Sequence, residues 1–227
     1  MAADTGFDVA RPSATRTQHA VRLLVLMSQC GSPPTDADPP GTASVIRSEL
    51  RLQATDFWLR NPDYVADELI TLVGSGDLDE AYIGVARKLL NDPEPDLRYY
   101  PMPKWLHGAY EPVDDAFSLL ETYGLATAVR RGTPGQNVSQ TQFFLTAAGA
   151  KAAAELAEDP VLGWYAKQAE LVALIAGDDP GSRLKERQYL QATYANTELG
   201  MNIASIADRV RDRLASHVTG DGAEVDW

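Results

Sequence analysis

A mainly α-helical protein with one small β-hairpin is the fold class this sequence predicts, and three observations predict it. Apolar residues recur at steps of three and four over most of the chain, the spacing of one helix face. Clusters of Gly, Pro, Asn and Asp cut that pattern into helix-length pieces. One stretch breaks the rule: residues 125–130 and 142–145 have strand character and flank the turn Thr133-Pro134-Gly135-Gln136.

The elements follow in order. Residues 1–15 hold little that packs and are expected to form a disordered arm. Ala20, Leu23, Leu24, Met27 and Cys30 mark a first helix, stopped by Gly31-Ser32-Pro33-Pro34. Residues 35–41 form an acidic loop, and a second helical pattern is expected from Ser44 through Leu59. Asn61 caps a third helix whose first residue is Pro62, a position where the missing N–H costs nothing. Gly74-Ser75-Gly76-Asp77 is a turn before a fourth helix over residues 78–90. A proline-rich acidic break, Asp92 to Asp96, leads into an extended segment with Tyr99, Tyr100, Trp105, His107 and Tyr110. Phe117, Leu120 and Tyr123 form a short helix ended by Gly124, where a left-handed backbone is needed. The hairpin comes next, and Thr146 then caps an alanine-rich helix to about Glu158. Pro160 opens a helix through Ile175. Leu199, Ile203, Ile206, Val210 and Leu214 predict a long amphipathic C-terminal helix with a packing seam, ahead of a short acidic tail. The divisions expected are an arm (1–15), a helical N-terminal region (16–97), an aromatic segment with the hairpin unit (98–158), and C-terminal helices (159–227).

Composition bounds the function. The chain has 227 residues, 44% of them hydrophobic, enough for one large domain or two small ones. Its 32 acidic and 20 basic residues give a net charge of −12. A single cysteine excludes an internal disulfide framework and a cysteine-built zinc site. Residues 20–27 are too short to span a bilayer, and the start lacks a basic region followed by an apolar one, so a cytoplasmic protein with no membrane role is expected.

The run Phe117 to Leu125, the pair Arg130-Arg131, and Leu145-Thr146-Ala-Ala-Gly149 resemble a winged helix: a helix ending in Gly-Leu, a hairpin wing, and a Leu-Thr-x-x-Gly entry to the next helix. Two shorter strings, Asp56-Phe-Trp-Leu-Arg-Asn-Pro-Asp-Tyr64 and His107-Gly-Ala-Tyr110, are similar to middle components of bacterial ABC-three-component systems. That resemblance implies an adaptor joining an ATPase of the chromosome-maintenance type to an effector, in a bacterial defence or DNA-maintenance system.

Charge decides how the wing is read. Phosphate attraction dominates nonspecific DNA binding and needs cations. The helix ahead of the wing begins Val113-Asp114-Asp115, contains Glu121, and carries no Lys or Arg. Residues 98–158 hold five basic and six acidic residues. Only Arg130 and Arg131, with Gln136, Asn137 and Gln140, resemble a phosphate-facing wing. A protein-binding winged helix is therefore the leading expectation, and a DNA-binding transcriptional regulator the alternative.

No catalytic constellation is visible. There is no phosphate loop, no Gly-x-Ser-x-Gly elbow and no His-Glu-x-x-His helix. Cys30, at the end of an apolar helix, reads as a structural thiol, and His19, His107 and His217 lack metal-ligand spacing. Asp77, Asp79 and Glu80 fit a helix start, and the run Arg183 to Tyr189 reads as the wet face of a helix or, less often, a basic docking strip. The sequence thus predicts a non-enzymatic subunit without cofactor or metal. Its expected contacts to a homodimer mate or a larger ATPase are the wing, the aromatic segment Tyr99–Tyr110 and the Leu199–Leu214 seam.

Overall fold

The computed structural model describes residues 15–91, 102–132 and 139–217. Helix α1 (Arg16–Cys30) opens on a capping box, in which the Thr15 hydroxyl accepts from the Gln18 amide and the Gln18 side chain accepts from Thr15 N–H. It is buried on two faces. Ala20, Leu23, Leu24 and Met27 enter one core, and Val25, Leu26 and Cys30 enter another. The apolar stripe expected from the sequence was thus half of the helix's packing.

Strand β1 (Thr42–Ile46) occupies residues where the sequence predicts the beginning of a helix. The reason is tertiary. Val45 and Ile46 pair with Phe144 and Phe143 of β5 (Ser139–Thr146), so a short β-branched run finds a sheet edge supplied from a hundred residues away. Helix α2 (Glu49–Arg60) begins only after Ser48, whose hydroxyl caps the Arg51 amide. Helix α3 (Pro62–Ser75) starts at proline as expected. Asn61 contributes its backbone carbonyl to that start, while its side chain donates back to the Phe57 carbonyl at 2.6 Å instead of capping. Gly76 ends α3 in the left-handed region, with φ of 81°. Helix α4 (Ala81–Asn91) is set off by Asp79, whose carboxylate accepts the Ala81 amide.

A two-residue-per-strand hairpin, β2 (Lys104–Trp105) and β3 (Gly108–Ala109), lies in the segment expected to be extended. Helix α5 (Asp114–Thr122), strand β4 (Ala126–Gly132) and β5 follow the sequence reading closely. The predicted turn at Thr133–Gln136 lies outside the described residues. The three-stranded antiparallel sheet has the order β1-β5-β4. Helix α6 (Ala147–Ala157) is capped by Thr146 as predicted, and α7 (Gly163–Ala176) packs against α1, α2, α3 and α6.

The Thr146 junction explains its own motif. Thr146 N–H and hydroxyl both reach the Leu125 carbonyl, and the hydroxyl oxygen accepts the Gly149 amide at 3.0 Å. A Cβ at Gly149 would stand 2.0 Å from the Leu125 carbonyl oxygen. Gly124, with φ of 66°, turns the chain out of α5 to meet it.

The C-terminal region corrects one expectation. Helices α8 (Gly181–Tyr189) and α9 (Ala192–Asn196) precede α10 (Ala207–Ser216), which starts at Ala207 instead of near Leu199 and so is shorter than predicted. Gly200, at φ of 82°, interrupts any helix through Leu199. Residues Lys104 and Met102 instead draw this segment into extended pairing, through Lys104 N–H to the Met201 carbonyl and Ile203 N–H to the Met102 carbonyl. Ile203, Ile206, Val210 and Leu214 are all buried in the chain's own larger core. They are therefore interior packing positions rather than a seam open to a second chain. Among the described residues no helix is long and apolar enough to cross a membrane.

Candidate interaction surface

The β2–β3 hairpin carries Trp105, Leu106 and His107 outward on a backbone fixed from beneath. Gly108 takes φ of 94°, and a Cβ there would lie 2.2 Å from the Tyr194 hydroxyl oxygen, so glycine is required. Ala109 N–H donates to that hydroxyl at 2.7 Å, and the hydroxyl donates to Gln188. The Ala109 carbonyl accepts from the buried Lys185 ammonium position at 2.7 Å. The Gln53 amide grips Glu111 through both its backbone N–H and its carbonyl. Lys104, itself buried, donates to the Ala195 carbonyl and lies over the Tyr189 ring. Burial pulls the Lys185 amine down to about 7, only weakly opposed by Asp56.

The result is a set of exposed apolar side chains on and beside the hairpin. Trp105 is 48% exposed, Leu106 77%, Leu190 83%, Leu199 57% and Met201 59%, with Tyr189 beside them. Backbone pairing of Lys104 with Gly200 and Met201 puts the hairpin and the Leu199–Met201 loop side by side. Of the aromatic segment expected from the sequence, Trp105 and His107 are exposed, Tyr110 is half-buried, and Tyr99 and Tyr100 lie outside the described residues. Leu199, misassigned to a helix seam, belongs to this face. Leu106, Leu190 and Met201 were missed, because only the fold brings three distant segments together.

The residues that the sequence reading assigned to a wing are placed as follows. Arg130, opposite Thr141, and Gln140, opposite Arg131, are exposed on the hairpin β4–β5. Gln136 and Asn137 lie outside the described residues. The outward face of α5 presents Asp114, Asp115 and Glu121, and the Glu121 carboxylate accepts the Ala128 amide of edge strand β4. The run Arg183 to Tyr189, expected as a wet helix face and less often as a basic docking strip, keeps Arg183 and Glu186 exposed, while Lys185 is buried and Arg187 is bound by Glu68 and Asp179.

The interior holds an ionic cluster the sequence did not reveal. Asp56 is held by Arg22 at 3.1 Å and Arg60 at 3.2 Å, and both arginines reach Glu111. Burial works against the Asp56 carboxylate, but Arg22 and Arg60 together outweigh it and hold it well below the usual range. His19, its own affinity for protons lowered by burial, lies near enough that it, Asp56 and Glu111 each place a ligand atom within 4.8 Å of the others. This is a poor cation site, because two guanidinium groups already neutralise both carboxylates and would repel a metal ion. The string Asp56–Tyr64 is accounted for by this cluster and by core packing, with Phe57, Trp58, Leu59 and Tyr64 fully buried. Cys30 is buried too. Burial pushes its thiol up to about 12, and it points to the Ala169 carbonyl, as a structural cysteine does.

Comparison of the chain with protein-family models, curated proteins and solved structures finds no match.

Proposed function

We propose that this chain is a non-enzymatic, cytoplasmic interaction subunit built around a winged helix, an adaptor whose partner is a larger protein such as a chromosome-maintenance-type ATPase. The observation that carries the reading is the apolar face around Trp105 and Leu106, fixed from below by Lys185, Tyr194 and Gln53. One exposed leucine is ordinary, but Trp105, Leu106, Leu190, Leu199 and Met201 exposed on neighbouring segments are the kind of feature a protein interface accounts for. The winged-helix part is supported by α5, the β4–β5 hairpin and the Thr146–Gly149 entry to α6, joined by β1 as third strand. The ATPase partner rests on the resemblance of residues 56–64 and 107–110 alone.

The DNA-binding reading has Arg130 and Gln140 in its favour, both exposed on the wing. The acidic outer face of α5 opposes it, since that helix would have to approach phosphate. Affinity capture of tagged protein from its host, followed by mass spectrometry, separates the two. The adaptor reading expects a stoichiometric protein companion that survives Arg130→Glu with Arg131→Glu and is lost on Leu106→Glu. Recovery with nuclease-sensitive DNA, lost on the arginine changes, would install the regulator in its place.

A further inference from the structure

The apolar face points to an occupant. We infer that it joins two copies of this chain across a two-fold axis and that the larger partner is engaged by the paired form, so that loss of Leu106 releases the companion by unpairing the two copies; this rests on the interaction-subunit reading and assigns that same face one occupant, a second copy.

Area is the first argument. Six side chains make the face: Trp105, Leu106, Tyr189, Leu190, Leu199 and Met201. At these exposures, side chains of such size each offer on the order of 100 Å². Their sum of several hundred Å² per copy exceeds what a soluble monomer ordinarily leaves to water. Doubled across an axis it reaches the lower end of a stable interface, about 1,200 Å².

Charge is the second. In a two-fold contact each group near the axis meets its own image, so any charge there meets a like charge. For a chain of net charge −12, self-association is least opposed at a face poor in carboxylates. Among the described residues, the six side chains that make this face include no carboxylate. The ammonium of Lys104 is turned inward onto the Ala195 carbonyl and the Tyr189 ring, and that of Lys185 onto the Ala109 carbonyl. The acidic residue next to Leu199, Glu198, is exposed, and the imidazole of His107 stands at the hairpin tip. By contrast, the outer face of α5, with Asp114, Asp115 and Glu121, would repel its copy. Rigidity is the third argument. The hairpin backbone is held by Tyr194, Lys185 and Gln53, so little conformational freedom is lost when it docks.

Sedimentation velocity on the purified full chain tests the inference. At about 50 µM the protein is expected at twice its 24.6 kDa mass. Leu106→Glu combined with Leu190→Glu should return it to monomer with an unchanged circular dichroism spectrum, since both side chains already face water. Val161→Glu, an exposed apolar position between α6 and α7, should leave the dimer intact. A wild-type monomer at that concentration overturns the inference, and so does a dimer that persists in the double variant. A monomeric protein that still captures a stoichiometric companion through Leu106 overturns only the self-pairing and leaves the adaptor reading standing. A dimer with no companion does the reverse.

Discussion

At Lys185, an ammonium group on the most polar of the helices ends inside the protein, on the Ala109 carbonyl. Burial lowers its affinity for protons from 10.5 to about 7. The unfolded chain therefore holds a proton that the folded chain gives up between those two values, so stability rises as pH rises through that window and is lowest below it. Between pH 7 and 9 the gain should be on the order of 2 kcal/mol. Urea unfolding at the two pH values measures it, and Lys185→Met should abolish the rise while leaving the Ala109 carbonyl without its donor, a cost of about 1–3 kcal/mol. A wild-type stability flat across the window would contradict the buried position of this amine. None of this was legible in the run Arg183 to Tyr189, which reads as a solvated basic face. The same holds for Arg22, which looks like an interruption of an apolar stretch. It is 2% exposed because Asp56, on another helix, meets it. A long-range charge partner has no local signature.

At the scale of elements, the Thr146 junction is the best-determined piece. Removing its hydroxyl in Thr146→Ala loses a helix cap and should cost about 1 kcal/mol. Gly149→Ala should cost more, about 2–3 kcal/mol, because the added carbon meets a backbone carbonyl that cannot rotate away. Chemical denaturation of the two variants orders them, and the reverse order would remove the close-approach explanation. This junction was readable because capping and glycine requirements are local. Helix boundaries set by local breakers were equally legible: Pro62, Gly76, Gly124 and Thr146 all act where the sequence places them. Strand β1 and the shortened α10 were not. In both, a partner strand from a remote segment offers the backbone hydrogen bonds that outweigh a local helical pattern.

On the scale of the whole molecule, α1 lies between two cores and belongs to both. The division at residue 97 suggested by the sequence cuts through this arrangement, since β1 pairs with β5, and Gln53 and Arg60 hold Glu111. A fragment of residues 98–158 is accordingly expected to stay unfolded, because Phe117, Phe143 and Leu145 would lose Ala20, Leu23, Leu24 and Ile46. Far-ultraviolet circular dichroism and amide dispersion check this, and a folded fragment would restore the sequence's division. What the sequence by itself determined is the helical class, the β4–β5 hairpin, most element boundaries and the acidic surface, all of which follow from near-neighbour chemistry and composition. What only the tertiary structure decided is the third strand, the buried Arg22–Asp56–Arg60–Glu111 cluster and the exposed apolar face. Each of these is made by residues far apart in the chain, and the free energy that places them comes from burial and pairing after the chain has closed on itself.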